Sequence, residues 1–140
     1  MSARAEKFVQ LFSRLWDERD FARDPGKLGQ LFHEEGGLTH PGQRRMSLDE
    51  IPAYFNRVFA VVPDLRVEVK NWASRGDVIY IEERITGTVG GQKLELPGVV
   101  RAVLRGGRAI DVMGHWDTFP VWTALDPSMK RGDLLAAAGA

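Results

Sequence analysis

The stretch that decides the fold is LRVEVKNWA (65–73), RGD (75–77), VIYIEERITGTV (78–89), GG (90–91), QKLELPGVVRAVLR (92–105), GG (106–107) and RAIDVMGHWDTF (108–119). Within each run apolar and polar residues alternate, the period of a strand with one buried face. The breaks between runs are short and contain glycine, as hairpin connections require. Four such runs in succession predict an antiparallel meander. Pro97 belongs at an edge or a bulge of the third run, because it has no N–H for the ladder.

Upstream of Leu65 the period is 3.6. Phe8, Leu11, Phe12, Leu15 and Trp16 predict a helix over 3–19 with one broad apolar face. After DPG (24–26), Leu28, Leu31 and Phe32 give a shorter helix that should end at Gly36-Gly37, where glycine can take a left-handed cap conformation. LTHPG (38–42) reads as a brief strand closed by a turn. Ser47 and Glu50 have capping-box spacing before Ile51, Tyr54, Phe55, Val58, Phe59 and Val62, a third helix stopped by Pro63-Asp64. Pro52 falls late for a first-turn proline if Ser47 is the cap, which implies either a start nearer Asp49 or an irregular first turn. Residues 126–140 read as a turn and a frayed helical tail.

Helices followed by a curled antiparallel sheet make an α+β fold, with a pocket left between the layers. At 140 residues the chain has the length of one domain, 1–140. The 19 basic and 19 acidic residues cancel and are interspersed, which argues against nucleic acid, whose binding needs clustered cations. There is no cysteine, so disulfides, thiolate nucleophiles and zinc–sulfur sites are excluded. The three histidines are too scattered for a compact metal motif, and neither GG pair opens a helix as a phosphate loop would. No apolar run approaches a membrane span and MSARAEKFVQLF has no leader-like core, so the expected location is cytoplasmic. The RGD triplets at 75–77 and 131–133 are read as turn composition.

Residues 28–125, in this order of pieces, resemble the nuclear transport factor 2-like superfamily of cone-shaped α+β folds, and within it the SnoaL-like and limonene-epoxide-hydrolase-like branches. The resemblance is carried by LTHPG, AYFNRVFAVVPDLRVEV, RGDVIYIEERITGT and GGRAIDVMGHWDTF. It implies a homodimer formed through the outer sheet face, a deep apolar pocket and a small hydrophobic ligand of polyketide, terpenoid or steroid size; the residues themselves imply no organic cofactor. Such folds host cyclases, isomerases, hydrolases and inert binding subunits, so the site has to decide the function.

In the epoxide-hydrolase-like branch the position matching His115 carries an inward acid that activates water. If His115 faces the pocket, strand parity puts Asp111, Met113 and Asp117 on its side and turns Val112, Gly114 and Trp116 away. The same register points Tyr80, Glu82, Arg84 and Thr86 inward and leaves Ile79, Ile81, Glu83 and Ile85 outside. Leu38 and His40 would face the pocket from LTHPG. The expected catalytic set is therefore His115 as general acid or base, Arg84 stabilising negative charge, and His40 orienting water or substrate.

Trp16, Leu38, Tyr54, Phe55, Phe59, Tyr80, Glu82, Thr86, Met113 and Asp117 are the expected substrate contacts. The aromatic residues among them are first of all core. Arg84 also has a plainer reading, as a cross-strand partner of Glu82 or Glu95. His33 reads as a solvated helix residue, and parity does not choose a face for Arg101. Thr86 stands where the branch has an aspartate and Leu38 where it has a tyrosine. The expected function is thus a cofactor-independent cyclase, isomerase or hydrolase, with a non-catalytic ligand-binding or accessory protein of the same fold as the alternative.

Overall fold

The computed structural model describes residues 2–126 and 128. Helix α1 (Ala3–Glu18) starts where the Ser2 hydroxyl accepts a hydrogen bond from the Ala5 amide and ends at Arg19, whose φ of 59° reverses the chain. Its inner face buries Phe8, Phe12 and Leu15 of the expected stripe together with Ala5 and Val9, while Leu11 and Trp16 are half-buried against the same core. Asp24 caps α2 (Pro25–Leu31) through the Gly26 amide. This helix stops before Gly36-Gly37 because the sheet captures the chain: Phe32 bridges Ala109 in parallel, and the His33 amide donates to the Ala109 carbonyl.

Strand β1 (Gly37–Thr39) follows, then β2 (Met46–Ser47), a short edge strand without a counterpart in the sequence reading. The capping box does not form. Ser47 is held in β2 and its hydroxyl bonds the Asp49 carboxylate at 2.6 Å, while Glu50 occupies the cap position of α3 (Ile51–Val61) with no side-chain bond to the helix amides. The later start leaves Pro52 in the first turn, where a missing N–H costs no helical bond.

Strands β3 (Arg66–Arg75), β4 (Val78–Val89), β5 (Gln92–Arg105) and β6 (Arg108–Trp116) form the expected antiparallel meander. The turns between them use positive φ at Gly76, at Gly90-Gly91 and at Gly106-Gly107. β1 pairs in parallel with β6, giving a six-stranded order β2-β1-β6-β5-β4-β3 in a curled, unclosed sheet. Pairing of β5 with β6 ends at Gly98–Trp116, so Pro97 lies just past it, with β4 on one side only.

Two register shifts bend the sheet. One inserts Lys70 into β3 between Val69 and Asn71; the other inserts Ile110 into β6 between Ala109 and Asp111. The concave face is covered by α1, α2 and α3. Trp16, Phe21 and Phe55 meet edge to face with centroids 5.1 to 5.5 Å apart.

A last helix, α4 (Phe119–Leu125), follows the Asp117 carboxylate, which accepts from the Phe119 amide. It docks on the β4–β5 turn, where a Cβ built on Gly90 would run into the Ala124 carbonyl oxygen. The expected C-terminal tail lies outside the described residues, apart from Asp126 and Ser128.

Gly90 and Gly76 both have φ near 55°, but only Gly90 has a neighbour within 4 Å of the missing side chain. Gly76→Ala should cost about 1 kcal/mol of left-handed strain, and Gly90→Ala about 2 to 3 kcal/mol because α4 must also move. Urea denaturation of the two variants measures the difference; equal losses would mean that α4 does not press on this turn.

Candidate functional site

The helices do not fill the concave face. They leave a cavity of about 230 Å³, walled by Phe12, Trp16, Phe21, Phe55, Ile85 and Val100 among other apolar groups. Glycines help to keep it open: at Gly87 a side chain would press on Val62, and at Gly114 on Trp116 and His40.

Which side chains face this space is decided by burial. On β4 the apolar set Ile79, Ile81 and Ile85 turns inward, the first two with no exposed surface, and register carries Glu83 in with them. Tyr80, Glu82 and Arg84 therefore project from the outer face, opposite to expectation. On β6 the cause is the inserted Ile110. An unbroken alternation from buried Ala109 would bring Asp111, Met113 and His115 inward, but the bulge shifts the phase by one, so Val112, Gly114 and Trp116 line the cavity instead.

The expected site is thereby divided. His40, Trp16, Leu38, Tyr54, Phe55 and Thr86 line the cavity. Phe59 lies behind the wall, packed on Trp16, Phe21 and Phe55. Arg84 stands on the outer face, where Nε and Nη2 meet the two Glu95 carboxylate oxygens at 2.7 and 2.9 Å, the plainer of its two readings. Asp117 caps α4. His115 and Met113 border a separate shallow groove, which His40 also touches, so His40 and His115 do not share the cavity. Arg101 is on the outer face, bonded to Asp111 at 2.7 Å.

Glu83 is the residue that the sequence reading misplaced. It is 5% exposed, and its Oε2 has no hydrogen-bond partner among the described residues. Its β5 neighbour in register is Gly98, where a Cβ would come within 3.2 Å of the Glu83 carboxyl and 3.0 Å of Ile85. The absent side chain is what gives the acid its room. Burial away from water penalises the anion and pushes the Glu83 pKa up to about 7. An acid so placed is divided between its two protonation states at neutrality and can give or take a proton. The available signal was an acid interrupting an isoleucine stripe, since a buried, unpaired glutamate is rare in a purely structural role.

The second polar feature is an uncharged pair. His40 Nδ1 and the Tyr54 hydroxyl are hydrogen-bonded at 2.7 Å, with the imidazole seated edge-on among Tyr54, Phe55 and Trp116. Burial lowers the His40 pKa to about 4 and raises that of the Tyr54 phenol, so both are neutral at physiological pH. They offer the cavity hydrogen bonds without charge. No group of three His, Asp or Glu side chains among the described residues converges as a metal site, and no described helix is long and apolar enough to cross a membrane.

A model of the SnoaL-like domain matches residues 6–112, well over half of the chain. The chain belongs to the SnoaL-like domain family. Solved structures share its nuclear transport factor 2-like fold at low identity. A candidate SnoaL-like polyketide cyclase from Jannaschia sp. is 23% identical with a TM-score of 0.77, the match covering 89% of this chain and 95% of that one. A nuclear transport factor 2-like protein of unknown function from Burkholderia pseudomallei is 19% identical with a TM-score of 0.79, over 90% and 99% of the two chains. TerC, co-crystallised with polyporic acid, is 15% identical with a TM-score of 0.76, over 89% and 99%. At these identities the likeness establishes the fold and not the chemistry. No curated protein matches the sequence.

The two buried groups make opposite contributions to stability. The Glu83 carboxyl holds its proton more tightly in the folded chain, so folding takes up a proton between about pH 4.5 and 7 and stability falls as pH rises through that window. His40 holds its proton less tightly when folded, so stability falls as pH drops from 6.5 to about 4. Glu83→Gln should therefore gain about 3 kcal/mol relative to wild type between pH 4.5 and 7.5, read from urea midpoints. A pH-independent difference would mean that the carboxyl is solvated.

Proposed function

We propose that this SnoaL-like domain is a cofactor-independent enzyme that moves a proton on a hydrophobic small molecule of polyketide, terpenoid or steroid size, as a cyclase or isomerase does. The observation that carries the reading is the unpartnered Glu83 carboxyl in an apolar cavity, poised near neutrality. Glu83 acts as the general acid or base in place of His115. The neutral His40–Tyr54 pair holds a substrate oxygen, and the aromatic wall excludes water that would compete for those bonds. Arginine-assisted epoxide opening is not part of this proposal, because Arg84 is neutralised on the outer face and Thr86 carries no charge.

We further propose a homodimer through the outer sheet face, supported by Tyr80 and Val99, which are 50% and 42% exposed on it. A second reading, ligand binding without chemistry, is favoured by one feature: among the described residues no second side chain orients the Glu83 carboxyl. TerC, which shares this fold, was co-crystallised with polyporic acid.

The test is incubation with hydrophobic cyclic ketones such as tetralone in heavy water, following deuterium gain at the carbon next to the carbonyl by mass spectrometry. Wild type should exchange faster than Glu83→Gln by about 10² to 10⁴, with His115→Ala close to wild type. Compounds that bind yet return unlabelled would favour the binding reading, and equal exchange by Glu83→Gln would remove Glu83 from the chemistry.

A further inference from the structure

The wall of the cavity is thin at one place. Pairing of β1 with β6 ends at Thr39–Met113, whereas β6 stays paired with β5 as far as Trp116. Residues 114–116 therefore have a strand on one side only. On the other side the chain leaves through Pro41 and turns at Gly42, with the Gln43 amide donating to the His40 carbonyl at 3.0 Å. The splayed strands leave a notch of about 280 Å³.

This notch and the apolar cavity share three residues: His40, Gly114 and Trp116. Between them there is no strand pairing and, at Gly114, no side chain. A Cβ there would sit 2.8 Å from Trp116 Cζ3 and 3.2 Å from His40 Cδ2, so the two rings occupy the space a side chain would take. Their centroids are 4.7 Å apart, edge to face. The partition is one ring contact, and the Trp116 indole N–H makes no hydrogen bond within the described residues to hold it shut. Joining the two spaces requires Trp116 to turn off that contact.

The chemistry differs on the two sides. The cavity is mostly aromatic and aliphatic, its polar side chains being those of Glu83, Thr86, His40 and Tyr54. The notch presents the Thr39 hydroxyl, the Gln43 amide, the His115 imidazole and an unpaired strand edge, on which every second residue turns its N–H and C=O outward. Among the described residues no lysine, arginine, aspartate or glutamate borders it. Such a surface suits neutral donors and acceptors.

We infer that the notch is a second subsite of one elongated binding site, receiving a neutral hydroxyl- or carbonyl-bearing arm of a ligand whose apolar ring body fills the cavity. This rests on the proposal that the cavity holds a ligand, and it narrows the substrate class to ring systems with a short uncharged polar side arm. It also gives His115 a place as a contact to the arm, apart from any proton transfer.

Two probes with the same four-carbon arm separate the claims: butylnaphthalene, and naphthylbutanol, which adds a terminal hydroxyl. Titration calorimetry should show wild type binding naphthylbutanol about tenfold more tightly than butylnaphthalene, the effect of one or two hydrogen bonds. The surface double variant Gln43→Ala/His115→Ala should bring that ratio near one while leaving butylnaphthalene affinity unchanged. Gly114→Val, which fills the partition, should do the same to the ratio. Butylnaphthalene binding with no preference for the hydroxyl, or a preference that survives both variants, would overturn the subsite and leave the cavity reading standing. If neither probe binds, both proposals fall.

Discussion

Burial of the isoleucine stripe on β4 governs the rest of the molecule. Ile79 and Ile81 are sealed against the helical layer, and with side chains alternating at a period of two, that packing leaves no choice for their neighbours. Tyr80, Glu82 and Arg84 must face out, and Glu83 must face in. Reversing the strand would expose three isoleucines and bury an arginine, at a cost of several kcal/mol. A single carboxyl is the smaller burden, and it is placed where Gly98 leaves space.

The same low-dielectric interior acts on the two titratable groups inside it with opposite results. It holds the carboxyl of Glu83 towards its acid form and the imidazole of His40 towards its base form, and in both cases the uncharged species is favoured. The interior thus avoids fixed charge, yet one group remains near its midpoint at neutrality. His40 is secured by Tyr54, whereas Glu83 Oε2 has no partner, so the group with the unmet bond is also the one able to exchange a proton.

Much of the fold was legible in the sequence because it depends on patterns that repeat over many residues: the helical spacing in α1 and α3, the alternation from Leu65 onward, and the glycine turns. What was not legible depends on single positions. The Ile110 insertion in β6 changes which residues enter the cavity, yet nothing in RAIDVMGHW marks it, since a bulge is fixed by pairing with β5. Phe32 leaves α2 for a bridge to a residue far along the chain, and Ser47 is drawn into β2 before it can cap α3. In each case a distant partner overrode a local preference. Of the site, His40, Tyr54 and the aromatic wall followed from helix spacing and the LTHPG register. Glu83 could have been found by letting the isoleucines choose the face.

Gly87, Gly98 and Gly114 each keep a side chain out of the interior, at the mouth of the α3–β3 turn, beside the acid and beside the histidine. The hollow is therefore set by omission at three separate points, each next to a different functional element. Adding one or two carbons at any of them would alter the volume and outline of the hollow without replacing a polar group. Carbons added at Gly98 or Gly114 would press on Glu83 or His40, whereas at Gly87 they would meet Val62 first, so Gly87 is the point where the outline of the hollow can change with neither polar group displaced.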